Sequence, residues 1–420
     1  MLNEAFKKTL QAELSRIDAV KTSKRHETII DGFVTQQGRS PHAIINGKQY
    51  LIFNSNDYLG LRFHPGLRKA EEDATKKFGT GPGAVRFISG TMKIYTQLEE
   101  ALAKFHGREA GMTFSSAFAA NLAVIHCLIK GQSKDSLVSN ETLVVSDELN
   151  HRSIIDGIRV AGLPKEQKAI FKHMDLEDLR RVLDENQGKF KRVLVISDGV
   201  FSMLGEHQDL LELKQVVKDF EHAYEEGIIT VIDDAHGVAG IGEKGRGVEE
   251  ASHAACDVLI STLGKGLGAD GGYIVGDKLL IDYLRESAAT YIYSNPFSPG
   301  TAGAALKAVE VLQSEEGEEL LSKLRGNISF FKTLMAEAGF TFAVDSIHPI
   351  QPVLIGDPVK TRDLVDALFN KGILVTNISY PVVPQGRDEI RVQISAAHTM
   401  KDISEFVGTF VDAAKEIGFV

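Results

Sequence analysis

The sequence predicts an α/β fold: a mostly parallel central sheet covered by helices, followed by a smaller α+β C-terminal domain. Three observations predict it. From about residue 56, short and nearly continuous Val/Ile/Leu runs alternate with amphipathic helical segments. Such runs belong to strands buried on both faces, as in parallel sheets. Beyond about residue 300 the rhythm changes to long Ala/Leu/Glu-rich helices and a few short strands. Finally, 420 residues allow two or three domains with ample core.

The elements follow in order. Residues 1–27 read as a charged helix. Residues 28–54 read as short strands and turns, with HAIINGKQYLIF forming a hairpin around Asn46-Gly47. In IYTQLEEALAKFHG, Leu98, Leu102 and Phe105 recur at i, i+4 and i+7, which paints one helical face. The clearest strands are LVVS (143–146), VLVIS (193–197), ITVID (229–233), DVLIS (257–261) and GYIV (272–275). A helical region spans 302–338. Strands are then expected near 340–344, 350–355, 373–378 and 390–395, with helices at 360–371 and 400–416. The expected division is 1–55, an N-terminal helix with short strands; 56–300, a large ligand-binding domain; and 301–420, a small domain.

Composition removes several functional classes. At 43% hydrophobic and 25% charged residues, the chain is neither collagen-like nor disordered. No run approaches the roughly 20 apolar residues of a membrane span, and residues 1–27 lack the apolar core of a signal peptide. A cytoplasmic protein with no membrane partner is expected. Cys127 and Cys256 sit among apolar neighbours and read as buried thiols of a reducing compartment. A net charge of −10 argues against nucleic acid as a partner. It leaves room for a small anionic ligand, since a local site can oppose the overall sign.

GTGPGAVRFISGT (79–91) superficially matches a dinucleotide fingerprint. That fingerprint needs a preceding strand, whereas LRKAEEDATKKF before it reads as helix. A tight loop, or close backbone approach to a ligand, remains. The other chemistry-bearing residues fall at strand ends, where open α/β sheets bind ligands. Lys265 lies in STLGKGLGADGGY, flanked by Gly264 and Gly266. VIDDAHG presents Asp233 and His236, three apart across a turn. SDELNH presents His151, and SDGVFSM presents Ser202. FSSAFAANLA opens a helix with small residues, whose backbone N–H groups suit a phosphate. A metal needs more ligands at suitable spacing than these offer. No G-x-S-x-G elbow is present to support a serine hydrolase. A lysine able to form an imine, an aspartate for a pyridinium nitrogen, a histidine to stack on a ring and a helix start for a phosphate together suit pyridoxal 5′-phosphate (PLP).

The strings NSNDYLGL, GTGPGAVRFISGT, SDELNHRSIIDGIR, SDGVFSM, DDAHGVAGIGEKGRG, STLGKGLG and PVVPQGRDEIRVQISAAHT together resemble the α-oxoamine synthases. These are fold-type I PLP-dependent transferases that join an amino acid to an acyl-CoA. The resemblance runs from about residue 40 to 415. Within the family, VRFISGT, LNHRSIIDGIR, SDGVFSM and YSNP look most like the 2-amino-3-ketobutyrate CoA ligases (glycine C-acetyltransferases). The resemblance implies glycine and acetyl-CoA as substrates, in either direction. It also implies a role for each matching residue. Lys265 holds the cofactor as an imine and moves the Cα proton. Asp233 pairs with the pyridinium nitrogen. His236 and Ser202 contact the phenolic oxygen. His151 stacks on the ring and senses the substrate. Ala117 and Phe118 N–H groups and the Thr262 hydroxyl take the phosphate. Ser294 and Asn295 reach it from a second subunit, which implies a homodimer. Arg391 clamps the substrate carboxylate with its planar fork, and Asn56 lies near the reacting centre. His398, in SAAHT, is expected to order its strand end rather than to do chemistry.

Some features depart from the family pattern: Ala117 where a cysteine is common, a shorter GADGGY loop, a longer FEHAYEEGII segment, and SNPFSP at the subunit-crossing loop. They bear on acyl-chain preference more than on the chemistry. The alternatives are a decarboxylating synthase using alanine or serine with a longer acyl-CoA, an ordinary aminotransferase, or a non-catalytic PLP-fold binding protein.

Overall fold

The computed structural model describes residues 1–19, 23–25, 27–380 and 383–419. Parts of the expected N-terminal helix (20–22 and 26) and residues 381 and 382 of the PVVPQG string lie outside the described residues.

Three sheets organise the described residues. The strands are β1 (Gly32–Val34), β2 (His42–Ile45), β3 (Lys48–Ile52), β4 (Ala110–Phe114), β5 (Thr142–Asp147), β6 (Lys168–Phe171), β7 (Arg192–Asp198), β8 (Ile228–Asp233), β9 (Val258–Thr262), β10 (Gly272–Gly276), β11 (Ile350–Leu354), β12 (Ile373–Leu374), β13 (Thr376–Ile378) and β14 (Glu389–Gln393). The main sheet has seven strands in the order β4-β10-β9-β8-β7-β5-β6. From β9 to β6 every pairing is parallel, whereas β10 runs antiparallel to both its neighbours. The expected mostly parallel sheet is present. Its five clearest strands match β5, β7, β8, β9 and β10 to within a residue or two at either end.

Both faces of this sheet are buried, with the two-residue period of a strand. Val144, Leu194, Ile196, Val231 and Ile260 point to a core under the helices Ala117–Ile129 and Arg152–Ala161. Their neighbours Leu143, Val145, Val193 and Val195 point the other way, under the helices Leu176–Glu185 and Leu210–Phe220. That is why these runs read as continuously apolar rather than alternating.

Terminal segments build the remaining sheets. The β2–β3 hairpin turns at Asn46 (φ 49°) and Gly47 (φ 76°). Two successive left-handed residues suit a tight hairpin, as the Asn-Gly pair predicts. β12 then adds in parallel to β3, so the N-terminal hairpin and the C-terminal region share one sheet. The third sheet, β11-β14-β13, carries Arg391.

Several local expectations change. The run 373–378 is divided: β12 and β13 belong to different sheets. Residues 340–344 contribute only a bridge between Phe342 and Val353. The helical region after 300 breaks at Gln313–Ser314 into Pro299–Leu312 and Glu315–Glu337. The first of these packs on the helices Pro65–Phe78 and Lys93–His106. β4 and β6, short edge strands, were not among the clear strand signals. The GTGPG loop follows the helix Pro65–Phe78 rather than a strand, which removes the dinucleotide reading. Among the described residues no helix is long and apolar enough to cross a membrane.

Candidate active site

The carboxyl ends of β5, β7, β8 and β9 and the start of the helix after β4 converge on one cavity of about 250 Å³. Ala117, Phe118, His151, Ser202, Asp233, His236, Thr262 and Lys265 line it, joined by Ser153, Asp198, Val200 and Ala235. Eight residues singled out from five separate sequence segments thus meet at one place.

The floor is acidic and buried. Asp233 is buried; Asn121 Nδ2 donates to its Oδ2 at 2.6 Å, and Ala235 N–H donates to its Oδ1 at 3.0 Å. Asn121 also donates to Ser153 Oγ at 2.9 Å, and Ser153 Oγ lies 2.7 Å from His151 Nδ1. The carboxylate that would face a ring nitrogen and the imidazole that would cover the ring are therefore linked through two small polar side chains. Asp198 Oδ2 accepts His151 N–H at 3.1 Å, while its Oδ1 has no partner among the described residues. Burial, and then the nearby Asp233 charge, push Asp198 well above the ordinary carboxylate range.

Lys265 follows β9 by three residues. Burial lowers its pKa to about 8, against the opposing pull of Asp233 and Asp198, and the Arg391 charge adds to the lowering. A largely desolvated amine near neutrality is suited to nucleophilic and proton-transfer work. Burial, reinforced by Lys265 and Arg391, holds His236 well below its usual range, so its ring is neutral. Its Nδ1 lies 2.6 Å from Tyr58 Oη, and its carbonyl lies 2.8 Å from His348 Nε2.

The helix Ala117–Ile129 opens toward the cavity. Its N-cap Ser116 accepts Ala119 N–H, while the Ala117 and Phe118 N–H groups lie in the first turn, where no intrahelical acceptor exists. Gly272 of β10 lets this helix start approach the sheet: a Cβ there would stand 2.2 Å from Ala117 N. The Thr262 hydroxyl, beside Lys265, donates to Gly271 O at 3.0 Å and accepts Gly264 N–H at 3.1 Å.

Arg391, on β14, does not line the cavity itself, but its charge acts on Lys265 and His236. Its side chain is largely buried, yet Nε and Nη2 have no partner among the described residues. An unpaired buried guanidinium is costly and expects an anion. Asn56 does not line the cavity itself; its Oδ1 accepts Gln393 Nε2 at 2.5 Å, two residues beyond Arg391 on the same strand face. Ser294 and Asn295 lie outside the cavity of their own chain. His398 lies 2.9 Å from Ile52 O, stacks on Phe53 and takes Ser395 N–H, the strand-ordering place expected of it. Tyr58, Asn121 and Asp198 were missed. They occur in NSNDYLGL, FSSAFAANLA and SDGVFSM, but nothing local marks them as facing the site.

These residues fit PLP. A lysine amine, a buried carboxylate held by its own donors, a neutral histidine and an open helix start answer the aldehyde, the ring nitrogen, the ring substituents and the phosphate. The fold and this cavity define a PLP-dependent enzyme of fold type I. Residues 48–410 match the family described as aminotransferase class I and II. The 8-amino-7-oxononanoate synthase of Symbiobacterium thermophilum is 39% identical over 92% of this chain and 93% of its own length. The 8-amino-7-oxononanoate synthase 1 of Bacillus velezensis is 37% identical over 98% of both chains. A serine palmitoyltransferase from S. paucimobilis, solved with PLP and myriocin bound, superposes with a TM-score of 0.85 at 25% identity and covers 100% of both chains. The chain belongs to the α-oxoamine synthases.

Proposed function

We propose that the protein is a decarboxylating α-oxoamine synthase that joins a small amino acid to an acyl-CoA and releases CoA and carbon dioxide. The supporting observation is identity of 36–40% over 89–98% of this chain to relatives named 8-amino-7-oxononanoate synthase. The glycine and acetyl-CoA reading is kept second. VRFISGT, LNHRSIIDGIR and YSNP favour it, and it retains the carboxylate.

When bound, PLP supplies an electron sink for the negative charge left on the amino acid's Cα. The chain's own residues do the rest. Lys265 would hold the cofactor and, once its amine is released, take up and return a proton at Cα; burial brings that free amine down to about 8 in the cofactor-free chain. Asp233, oriented by Asn121, would keep the ring nitrogen protonated. His151 would cover the ring, and His236 and Ser202 would take its phenolic oxygen. Ala117, Phe118 and Thr262 would hold the phosphate, with Ser294 and Asn295 supplied by a second copy of the chain. Arg391 pairs with the amino-acid carboxylate, and Asn56, tied to Gln393, borders the reacting centre. A homodimer in the cytoplasm is the working assembly.

The test is a matrix of glycine, alanine and serine, each carboxyl-labelled, against short and long acyl-CoAs. Release of free CoA together with labelled carbon dioxide is expected. CoA release from glycine and acetyl-CoA, with the label retained when the β-keto acid is trapped by borohydride reduction as it forms, would favour the second reading. Amino-group exchange onto a keto acid without CoA release would overturn both.

A further inference from the structure

His173 follows β6, at the edge of the main sheet, and does not line the cavity. Its ring nevertheless joins two loops that do. Nδ1 lies 3.1 Å from Asp147 Oδ1, and Nε2 lies 3.0 Å from Glu206 Oε2. Phe201 packs edge-on against the ring, with centroids 4.3 Å apart. Asp147 ends β5 and begins the loop that delivers His151. Glu206 lies in the turn after β7 that delivers Ser202.

Each acidic residue is in turn built into its loop, Asp147 through its carboxylate and Glu206 through its backbone. Asp147 accepts Leu149 N–H at 2.8 Å and Met174 N–H at 2.9 Å. Met174 has a φ of 53°, a left-handed backbone that a non-glycine residue keeps only when its surroundings impose it. Glu206 O accepts Phe201 N–H, and Phe201 O accepts Gly205 N–H, each at 2.9 Å. His173 N–H donates to Glu148 Oε1 at 2.9 Å.

Both ring nitrogens face carboxylate oxygens, which only accept. Two donors are needed, and only the imidazolium has two. We infer that His173 is a positioning residue, a charged clasp that sets the spacing of the His151 and Ser202 loops and so the shape of the PLP cavity. This rests on the reading of that cavity as the cofactor site.

The surrounding charges agree. Burial would lower the pKa of His173, but the hydrogen bonds with Asp147 and Glu206 carry it up to about 9. Asp147 faces Asp198 at the end of β7, and Glu206 faces Glu389 on β14; each neighbour's carboxyl is raised, chiefly by burial and in part by this like charge. Arg387 and Arg391 flank Glu389, and Glu148 adjoins the His173 backbone. A pKa raised in the folded state means that the clasp is fully present below about 6.5 and is lost as pH rises through about 9.

The test measures PLP affinity from pH 6.5 to 10 in the wild-type protein and in His173→Gln, Glu206→Gln, the double variant and His173→Arg. Thermal unfolding serves as the folding control. His173→Gln should bind PLP about tenfold more weakly at pH 7.5 and lack the wild-type weakening near pH 9. Glu206→Gln should do the same, and the double variant should add nothing further. His173→Arg keeps a cation with several donors and should restore affinity without the step near pH 9. Wild-type affinity and an unchanged pH profile in His173→Gln would overturn the inference; should that variant not fold, the same result in Glu206→Gln would do so. A wild-type protein that takes up no PLP would instead overturn the reading of the cavity, and the clasp with it.

Discussion

The titration of Lys265 offers the most quantitative test of the site. Burial brings its pKa to about 8 in the cofactor-free protein. At pH 7.5 such an amine is roughly a quarter neutral, whereas an ordinary lysine is about a tenth of a per cent neutral. The reactive form is thus enriched about 200-fold over a surface lysine. Mixing apoprotein with PLP and following the visible absorbance should give a capture rate that rises with a midpoint near pH 8. Free lysine, run in parallel, removes the cofactor's own titration. Two substitutions should move that midpoint in opposite directions. Asp233 is the strongest of the charges holding the amine protonated, so Asp233→Asn should shift it to lower pH. Arg391 opposes protonation, so Arg391→Ala should shift it to higher pH. Each shift should be on the order of 1 unit. A wild-type midpoint at 10 or above, or two variants moving in the same direction, would refute the electrostatic account.

Three further perturbations bear on the same cavity. Arg391→Ala should raise KM for the amino acid by about 10- to 100-fold while PLP stays bound, as measured by steady-state kinetics and cofactor absorbance; an unchanged KM would remove its carboxylate role. Tyr58→Phe leaves His236 Nδ1 without its 2.6 Å partner in a buried setting. A cost of about 1–3 kcal/mol should appear in chemical unfolding, with weaker PLP binding. In Gly272→Ala the new methyl would meet the backbone of Ser116 and Ala117 at 2.2–2.5 Å, with no flexible side-chain end to yield. That variant should lose PLP affinity and melt at a lower temperature; wild-type affinity by equilibrium dialysis would show that the helix start is not the phosphate cradle.

Much of this protein is settled locally. The apolar runs of β5, β7, β8 and β9 announce strands buried on both faces, because burial of both faces removes the alternation that a half-exposed strand shows. The Asn46-Gly47 turn is legible because two left-handed residues narrow the choice to a few residue types. Lys265, Asp233, His236, His151 and Ser202 could be picked out because each ends a strand or follows one within a few residues, and a parallel sheet aligns those ends. Registers between distant segments decided the rest. The run 373–378 carries no sign that its two halves pair with different sheets, since pairing depends on partners more than 300 residues apart for β12 and β3. Asn121 and Tyr58 look like ordinary helix and loop residues. Only the packing of the helix Ala117–Ile129 across β9 and β10, and of residues 53–61 against 236–241, makes them partners of Asp233 and His236. The His173 clasp has the same origin. A histidine with no cavity residue near it in sequence acquires its charge from two carboxylates that the chain brings to it from 26 residues before and 33 after. Periodicity and turn chemistry are properties of neighbouring residues and can be read in order. Hydrogen-bond partners across the fold, and the protonation states they impose, depend on which surfaces come together, and the tertiary structure alone decides that.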